Sequence, residues 1–484
     1  MKLALIYPEI ECSITNTNTY SIPLGLGSIA TYCKEKNKDL EVEILDGSLI
    51  SHKEQLERIE KFNPDVTGIS STIASQHNAY EIAQKTKDLD SKVFFGGVNS
   101  TNLWENMLRN RDFIDGVILY DGEIPMSSAL EKIKKDGDLD NCNIPNLSYR
   151  DSKRKIQEPP QIYIPNLEEI PDIDYSFFEM GRFLEITQEK GFGKAITYYA
   201  GKGCTKRSTM KLEENYSFEE YNKLVAQMNT CSFCGRNELG LRNMPQDREA
   251  RIVRNLNDKY NITGFFNVQD TVNIKNISPI GLDDCWFRLF IGTESINQEN
   301  IRKLKQRYGL SLIFQAGIES ADPIMRENYR KSRTNYDDTI SKVELMAREG
   351  IQLHASFILG GRGETEFSIR ETTNLVKKLA QYENVTWILV SPQIILPGSP
   401  DYKKLLENKK MERKYSKQDL IDLVGISRDF IKIFCPTLTR EFIMYEIKET
   451  FDDIRKQRQK DLVFDVKGVV PDEERFINPN RQYC

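Results

Sequence analysis

The stretch from Gly203 to Arg236 carries the chain's most chemically suggestive residues, Cys204 near its start and the pair Cys231 and Cys234 near its end. Two cysteines separated by two residues can reach one metal centre from a single tight turn. Cys204 follows an apolar run, Ala195–Ala200, that reads as a buried strand. Three thiolates gathered on the loop after a strand can hold three irons of a [4Fe–4S] cluster and leave the fourth iron open to a ligand. A zinc site, or a degenerate site with no metal, remains the competing reading of the same residues. Between Cys204 and Cys231 lie 26 residues, Ser208 among them. Within that span Ser217 and Glu220 form a capping-box pattern, and Tyr221, Leu224, Val225 and Met228 follow at helical spacing, which predicts a short packed helix whose ends return to the thiols. Lengthening the loop costs about 2 kcal/mol of closure entropy. Metal–thiolate binding is much larger, so the insertion does not forbid a shared site.

Composition sets the frame. The chain has 484 residues, a net charge of −5 and nine cysteines at irregular spacing. It is long enough for two to four domains. Interspersed charges give no broad basic surface for nucleic acid, and the cysteines do not read as a secreted disulfide framework. No stretch approaches the ~20 apolar residues of a membrane span, and the apolar run at the N-terminus is too short for a signal peptide. These features predict a cytoplasmic protein.

Residues 1–135 alternate strands (3–7, 41–45, 66–70, 93–96, 117–120) with helical patterns, which predicts an α/β domain with an open, mostly parallel Rossmann-like sheet. Such sheets bind ligands outside the carboxyl ends of their strands, here Ser70-Ser71, Gly96-Gly97 and Asp121-Gly122-Glu123. Residues 136–194 form a proline-containing connector. From 195 to 402 the alternation resumes, with six strands predicted at 196–200, 263–268, 287–292, 312–317, 355–360 and 386–390, a partial (β/α)6 barrel. Residues 403–484 read as a mainly helical tail.

Gly203-Cys204 … Cys231-Ser232-Phe233-Cys234 resembles the cluster loop of radical S-adenosylmethionine (SAM) enzymes, although those enzymes usually leave three residues between the first two cysteines. Pro23-Leu24-Gly25-Leu26-Gly27, Ile44-Leu45-Asp46, Pro64–Ser70, Phe95-Gly96-Gly97 and Asp121-Gly122-Glu123 resemble the cobalamin-binding domain that precedes the barrel in one large class of them. The resemblance covers residues 1 to about 402. It implies a [4Fe–4S] cluster on Cys204, Cys231 and Cys234, and cobalamin on Gly25, Gly27, Ser70, Ser71, Gly96, Gly97, Asp121 and Gly122. It also implies SAM on Asp270, Arg288, Glu319, Ser320, Gly360, Gly361 and Gly363, where Arg288 could pair with the SAM carboxylate and Glu319 and Ser320 could accept from its amine or ribose. No Asp-x-His-x-x-Gly is present, so cobalt is expected to lack a protein imidazole. His354 reads as a packed or surface histidine, Cys33 as core, and Cys12 and Cys484 as candidates for a place near cofactor and substrate. The resemblance implies C-methyl transfer to a small molecule, with an external one-electron donor such as flavodoxin or ferredoxin. Cyclisation or rearrangement, and a binding protein that has lost its cluster, are the alternatives.

Overall fold

The first apolar run, Leu3-Ala4-Leu5-Ile6, is wholly buried, as a strand covered on both faces must be. In the computed structural model, which describes residues 1–10, 21–207, 215–236, 238–274, 278–332 and 334–457, that run is β1 (Lys2–Tyr7). The first domain continues as α1 (Leu24–Lys36), β2 (Glu41–Asp46), α2 (His52–Phe62), β3 (Val66–Ser70), α3 (Gln76–Lys87), β4 (Lys92–Gly96), α4 (Val98–Asn110), β5 (Gly116–Ile118) and α5 (Glu123–Asp136). The strands pair in the order β2-β1-β3-β4-β5, all parallel. Strand order reverses between β1 and β3, where doubly wound sheets open a crevice. Two short strands from the connector, β6 (Leu147–Arg150) and β7 (Ile156–Gln157), extend the sheet antiparallel.

Beyond β8 (Ile162–Tyr163) and α6 (Met180–Glu189), the second large sheet begins with β9 (Ala195–Tyr198). The cysteine region follows as β10 (Gly201–Gly203), β11 (Asn215–Tyr216), α7 (Phe218–Gln227) and β12 (Leu241–Asn243). The remaining units are α8 (Gln246–Tyr260), β13 (Gly264–Asn267), β14 (Trp286–Phe290), α9 (Gln298–Tyr308), β15 (Leu312–Glu319), α10 (Pro323–Asn328), α11 (Tyr336–Arg348), β16 (Gln352–Leu359), α12 (Glu366–Leu379) and β17 (Val385–Pro392). The six strands pair in parallel in the order β9-β13-β14-β15-β16-β17, the open half-barrel expected from the alternation. The tail supplies α13 (Pro400–Leu406), α14 (Lys409–Tyr415), α15 (Leu423–Phe434) and α16 (Arg440–Gln457). None of these helices is long and apolar enough to cross a membrane.

Alternation along the barrel strands sorts side chains to two faces. Phe265 and Phe287 stack at 5.2 Å and turn to the helices with Tyr198 and Tyr308. On that outer side Glu249 of α8 accepts hydrogen bonds from the Tyr198 and Tyr308 hydroxyls, each at 3.1 Å, and pairs with the guanidinium of Arg307. All four side chains are buried, so the pair locks α8 and α9 to β9. Removing the cation would leave a buried carboxylate unpaired. Arg307→Met should therefore lower the unfolding free energy by about 3–5 kcal/mol in urea titrations. A loss below about 1 kcal/mol would contradict this reading of the pair.

Candidate functional site

Cys204 lies directly after β10, with its Sγ 3.7 Å from the Thr271 hydroxyl past the end of β13. Cys231 and Cys234 share a tight turn in which the Cys234 amide donates to the Cys231 carbonyl at 3.1 Å. The turn is tied to the barrel where Ser232 N–H donates to the Tyr329 carbonyl at 3.2 Å. None of the three is in a disulfide. Burial pushes the Cys231 thiol up, while Lys331 and Lys206 pull it back; burial likewise pushes Cys234 up, against Arg207 and Arg236. Both thiols therefore stand above their ordinary value, with burial outweighing the cations set around them. Among the described residues, no three His, Cys, Asp or Glu side chains gather closely enough to hold a single metal ion. Ser208, Cys12 and Cys484 lie outside the described residues.

The insertion between the thiols has a definite seat. Ser217 caps α7, accepting from the Glu220 amide at 3.2 Å while the Glu220 carboxylate accepts from the Ser217 amide. Buried Tyr221 packs at 4.7 Å against Tyr120 of the first domain, and Phe218 meets Trp104 edge-on at 6.0 Å. The Leu239 amide donates to the Tyr221 hydroxyl at 3.1 Å, so the returning chain is pinned to the same residue.

A cavity of about 560 Å³ lies between the two sheets. On the first-domain side it is lined by Gly25, Ser70, Ser71, Gly97, Asn99, Tyr120 and Asp121. On the barrel side it is lined by Gly203, Gly235, Arg236 and Asp270, the immediate neighbours of the thiols. Beneath it runs a narrow slot between the sheet and its helices, lined by Gly68, Phe94, Gly96, Gly122 and Met126. The polar rim is pre-organised: Ser71 Oγ and Asn99 Nδ2 both donate to Gln76 Oε1, at 2.8 and 2.6 Å, leaving Gln76 Nε2 and Asn99 Oδ1 buried without partners. A large amide-rich ligand fits such a rim. Gly27 stands apart from it, packed beneath the Phe178 ring of the connector.

Asp121 is occupied by protein. Lys202 Nζ lies 2.6 Å from Asp121 and 3.1 Å from Glu123, and Arg242 lies 2.8 Å from Asp121. Lys202 and Arg242 sit on the paired strands β10 and β12, so this network joins the barrel to the first domain. Burial pushes the Asp121 carboxyl up, but Lys202 and Arg242 outweigh it and hold it at about 2. Nothing in the sequence signalled these two cations, which find their partners across 81 and 121 positions.

The other predicted positions divide. Asp270 reaches the cavity and is bridged by Arg207 and, at 3.2 Å, by Arg236. Glu319 ends β15 in the left-handed region, φ 68°, and pairs with Lys331 at 2.9 Å. Strain of this kind collects at functional strand ends. Ser320 is sealed against the Thr372 hydroxyl at 2.9 Å. Gly360, Gly361 and Gly363 lie against the tail: a side chain at Gly361 would collide with the Tyr329 ring and one at Gly360 with Ile443, while Gly363 N–H donates to the Phe434 carbonyl at 3.1 Å. Arg288 lies two residues before the end of β14, deeper in the barrel.

Lys202→Met would leave two buried carboxylates facing each other and should cost about 3 kcal/mol of stability. Adding Asp121→Asn should restore part of it, a coupling that a double-mutant cycle in urea reads directly. Because Asp121 is held below its ordinary 3.8, its share of stability is present above about pH 4 and lost as pH falls toward 2. Additive losses in the cycle would count against the network.

The B12 binding domain family model matches residues 12–130. Over 392 residues the chain is 26% identical to an uncharacterized methyltransferase of Pyrococcus horikoshii, covering 78% of each. It is 20% identical over 364 residues to an anaerobic magnesium-protoporphyrin IX monomethyl ester cyclase of Rubrivivax gelatinosus, covering 71% of this chain and 59% of the cyclase. In fold it matches the radical SAM methyltransferase TsrM from Kitasatospora setae, solved with cobalamin and a [4Fe–4S] cluster, at a TM-score of 0.61 and 13% identity, covering 84% of this chain and 74% of that one. It also matches the cobalamin-dependent radical SAM enzyme OxsB, solved with aqua-cobalamin and SAM, at 0.60 and 16% identity, covering 90% of this chain and 60% of that one. The chain therefore carries a B12-binding domain over residues 12–130 and shares the overall fold of these solved cobalamin-dependent radical SAM enzymes.

Proposed function

We propose that the chain is a cobalamin-dependent radical SAM methyltransferase acting on an unactivated carbon of a small molecule. The observation that carries this reading is the single cavity onto which both the first domain's strand ends and the neighbours of the three thiols open. Cys204, Cys231 and Cys234 would hold the cluster. Gly25, Ser70, Ser71, Gly97 and Asn99 would face the cobalamin, with the slot beneath Gly96 and Gly122 available to its narrower part. SAM would lie along the barrel strand ends near Asp270 and Glu319. When bound, the cluster would supply one electron to cleave SAM to methionine and a 5′-deoxyadenosyl radical, and cobalamin would carry the methyl group.

The chain's own residues have distinct tasks in this scheme. Lys206, Arg207, Arg236 and Lys331 offset the negative charge of thiolates and cluster. The Lys202–Asp121–Arg242 network fixes the separation of the two cofactor seats. His52 and His77 both lie against Glu81, at 2.8 and 3.2 Å. An external one-electron donor, a flavodoxin or ferredoxin, would complete the cycle.

Cys204→Ala should abolish SAM cleavage and lower iron content in reconstituted protein, whereas Ser208→Ala should leave both intact; a fully active Cys204→Ala protein would overturn the ligand assignment. Cobalamin taken up by the protein should show no imidazole-nitrogen coupling in the paramagnetic spectrum of its Co(II) form, and failure to take up cobalamin at all would remove the reading's first cofactor. With the true substrate, S-adenosylhomocysteine and 5′-deoxyadenosine should form in about equal amounts and labelled methyl should enter the product. Deoxyadenosine formed alongside an altered but unmethylated product would instead indicate cyclisation or rearrangement.

A further inference from the structure

The concave face of the barrel sheet carries polar side chains that have no hydrogen-bond or ion partner among the described residues. Strand register brings them together. Phe290, Gln315, His354 and Trp387 occupy one row across β14, β15, β16 and β17. Arg288 precedes Phe290 by two residues and Ser356 follows His354 by two, so both share that face one step below and above the row. The outer-facing residues between them, Phe314, Ala355, Phe357, Ile388 and Val390, are buried against helices, whereas Arg288, Gln315, Ser356 and Leu389 on the inner face stay partly open. Side chains of this row therefore keep some solvent access that the outer-facing ones lack.

The chemistry of the row is unfinished. The Arg288 guanidinium rests over the Phe266 ring at 4.0 Å and has no hydrogen bond or ion pair among the described residues. Gln315 Oε1 is buried with no donor. His354 is 7% exposed, its ring tilted against Trp387 at 5.5 Å, with no hydrogen bond among the described residues. Burial pulls Arg288 down to about 10, with no acid to oppose it, and burial together with Arg288 pulls His354 down to about 3, so the imidazole beside the cation is neutral. Buried Arg307 and Arg207 are paired with carboxylates, and buried Arg326 donates to the Ile318 and Ser332 carbonyls and the Thr293 hydroxyl. A desolvated, unpaired cation is expensive, and so is an orphaned amide carbonyl. Both costs disappear when a ligand brings an anion and a donor.

We propose that this row seats the anionic group of the substrate: a carboxylate or phosphate on Arg288, an adjacent N–H or O–H on the Gln315 carbonyl, and an apolar body against Trp387 and Phe290. Calling the ligand a substrate rests on the methyltransferase reading; the anion site itself needs neither cofactor. It also parts Arg288 from the SAM carboxylate.

Thermal unfolding of the full-length protein tests it, with phenyl phosphate, benzoate and uncharged benzamide as probes. One or both anions should raise the wild-type Tm by about 2 °C or more, with benzamide inert, and whichever anion acts shows which group the site takes. Arg288→Met should raise the ligand-free Tm, because it removes an uncompensated charge, and should abolish the anion effect; Arg288→Lys should keep it in weakened form. No anion-specific shift in wild type, equal shifts in Arg288→Met, or a ligand-free Tm that falls as it does in Arg307→Met overturns the proposal. Loss of SAM binding in Arg288→Met by equilibrium dialysis overturns it too and returns Arg288 to the SAM carboxylate. Cobalamin and iron uptake by the wild-type protein are measured separately, so their failure would sink the methyltransferase reading while leaving the anion result standing.

Discussion

Two carboxylates at the end of the first sheet are held by two cations from the separate strand pair β10–β12, and the architecture of the site depends on that contact. Glu123 is buried and Asp121 nearly so where β5 hands over to α5, and burial there pushes the Asp121 carboxyl up until its two cations outweigh it. Lys202 and Arg242 reach them from β10 and β12, the short hairpin-like pair that frames Cys204. The charge requirement of the first domain is thus met only when the cysteine loop is docked. Cavity width and the placement of the thiols become one problem with one solution. Tyr221 against Tyr120 adds an apolar strap beside the ionic one, and Asp419 ties the tail to the same domain through Tyr80 and Arg111, at 2.8 and 2.6 Å.

The described part of the 26-residue stretch between Cys204 and Cys231 is tied to the fold at several points. A loose loop of that length would hold its ends together weakly. Here the intervening chain is anchored at β11 to β8 and at α7 to the first domain, and the chain beyond Cys234 is pinned back to it where the Leu239 amide donates to the Tyr221 hydroxyl. Each anchor shortens the effective loop. The insertion therefore acts as a wedge between domains, and Arg207, buried between Glu238 and Asp270, carries positive charge to the thiols from its root.

Much of the fold was legible because its strands are continuous apolar runs with one period. Val66–Ser70 in the structure matches the run in the sequence, and each of the six barrel strands overlaps its predicted segment. The edge strands at 147–150 and 156–157 were not, since a proline-rich, polar stretch gives no periodic signal and pairs only because an open edge is offered. The candidate site was half legible. Residue type and spacing pointed to the thiols and the strand-end glycines. They could not show that Gly361 is small to admit Tyr329 and Gly27 to admit Phe178, or that Asp121 would be answered by Lys202. Those roles belong to pairs distant in sequence. Likewise, that Arg288 has no ion partner among the described residues is visible only in the structure.

In the proposed function, one cavity brings a cobalamin and a thiolate-held cluster face to face. Pulsed paramagnetic resonance on anaerobically reconstituted protein tests it most directly, by observing the Co(II) signal before and after the cluster is reduced. If both cofactors border the inter-domain cavity, reduction of the cluster should broaden and speed the relaxation of the cobalt signal through dipolar coupling, and Cys204→Ala should remove the effect. A Co(II) spectrum and relaxation rate unchanged by a fully reduced cluster would contradict it.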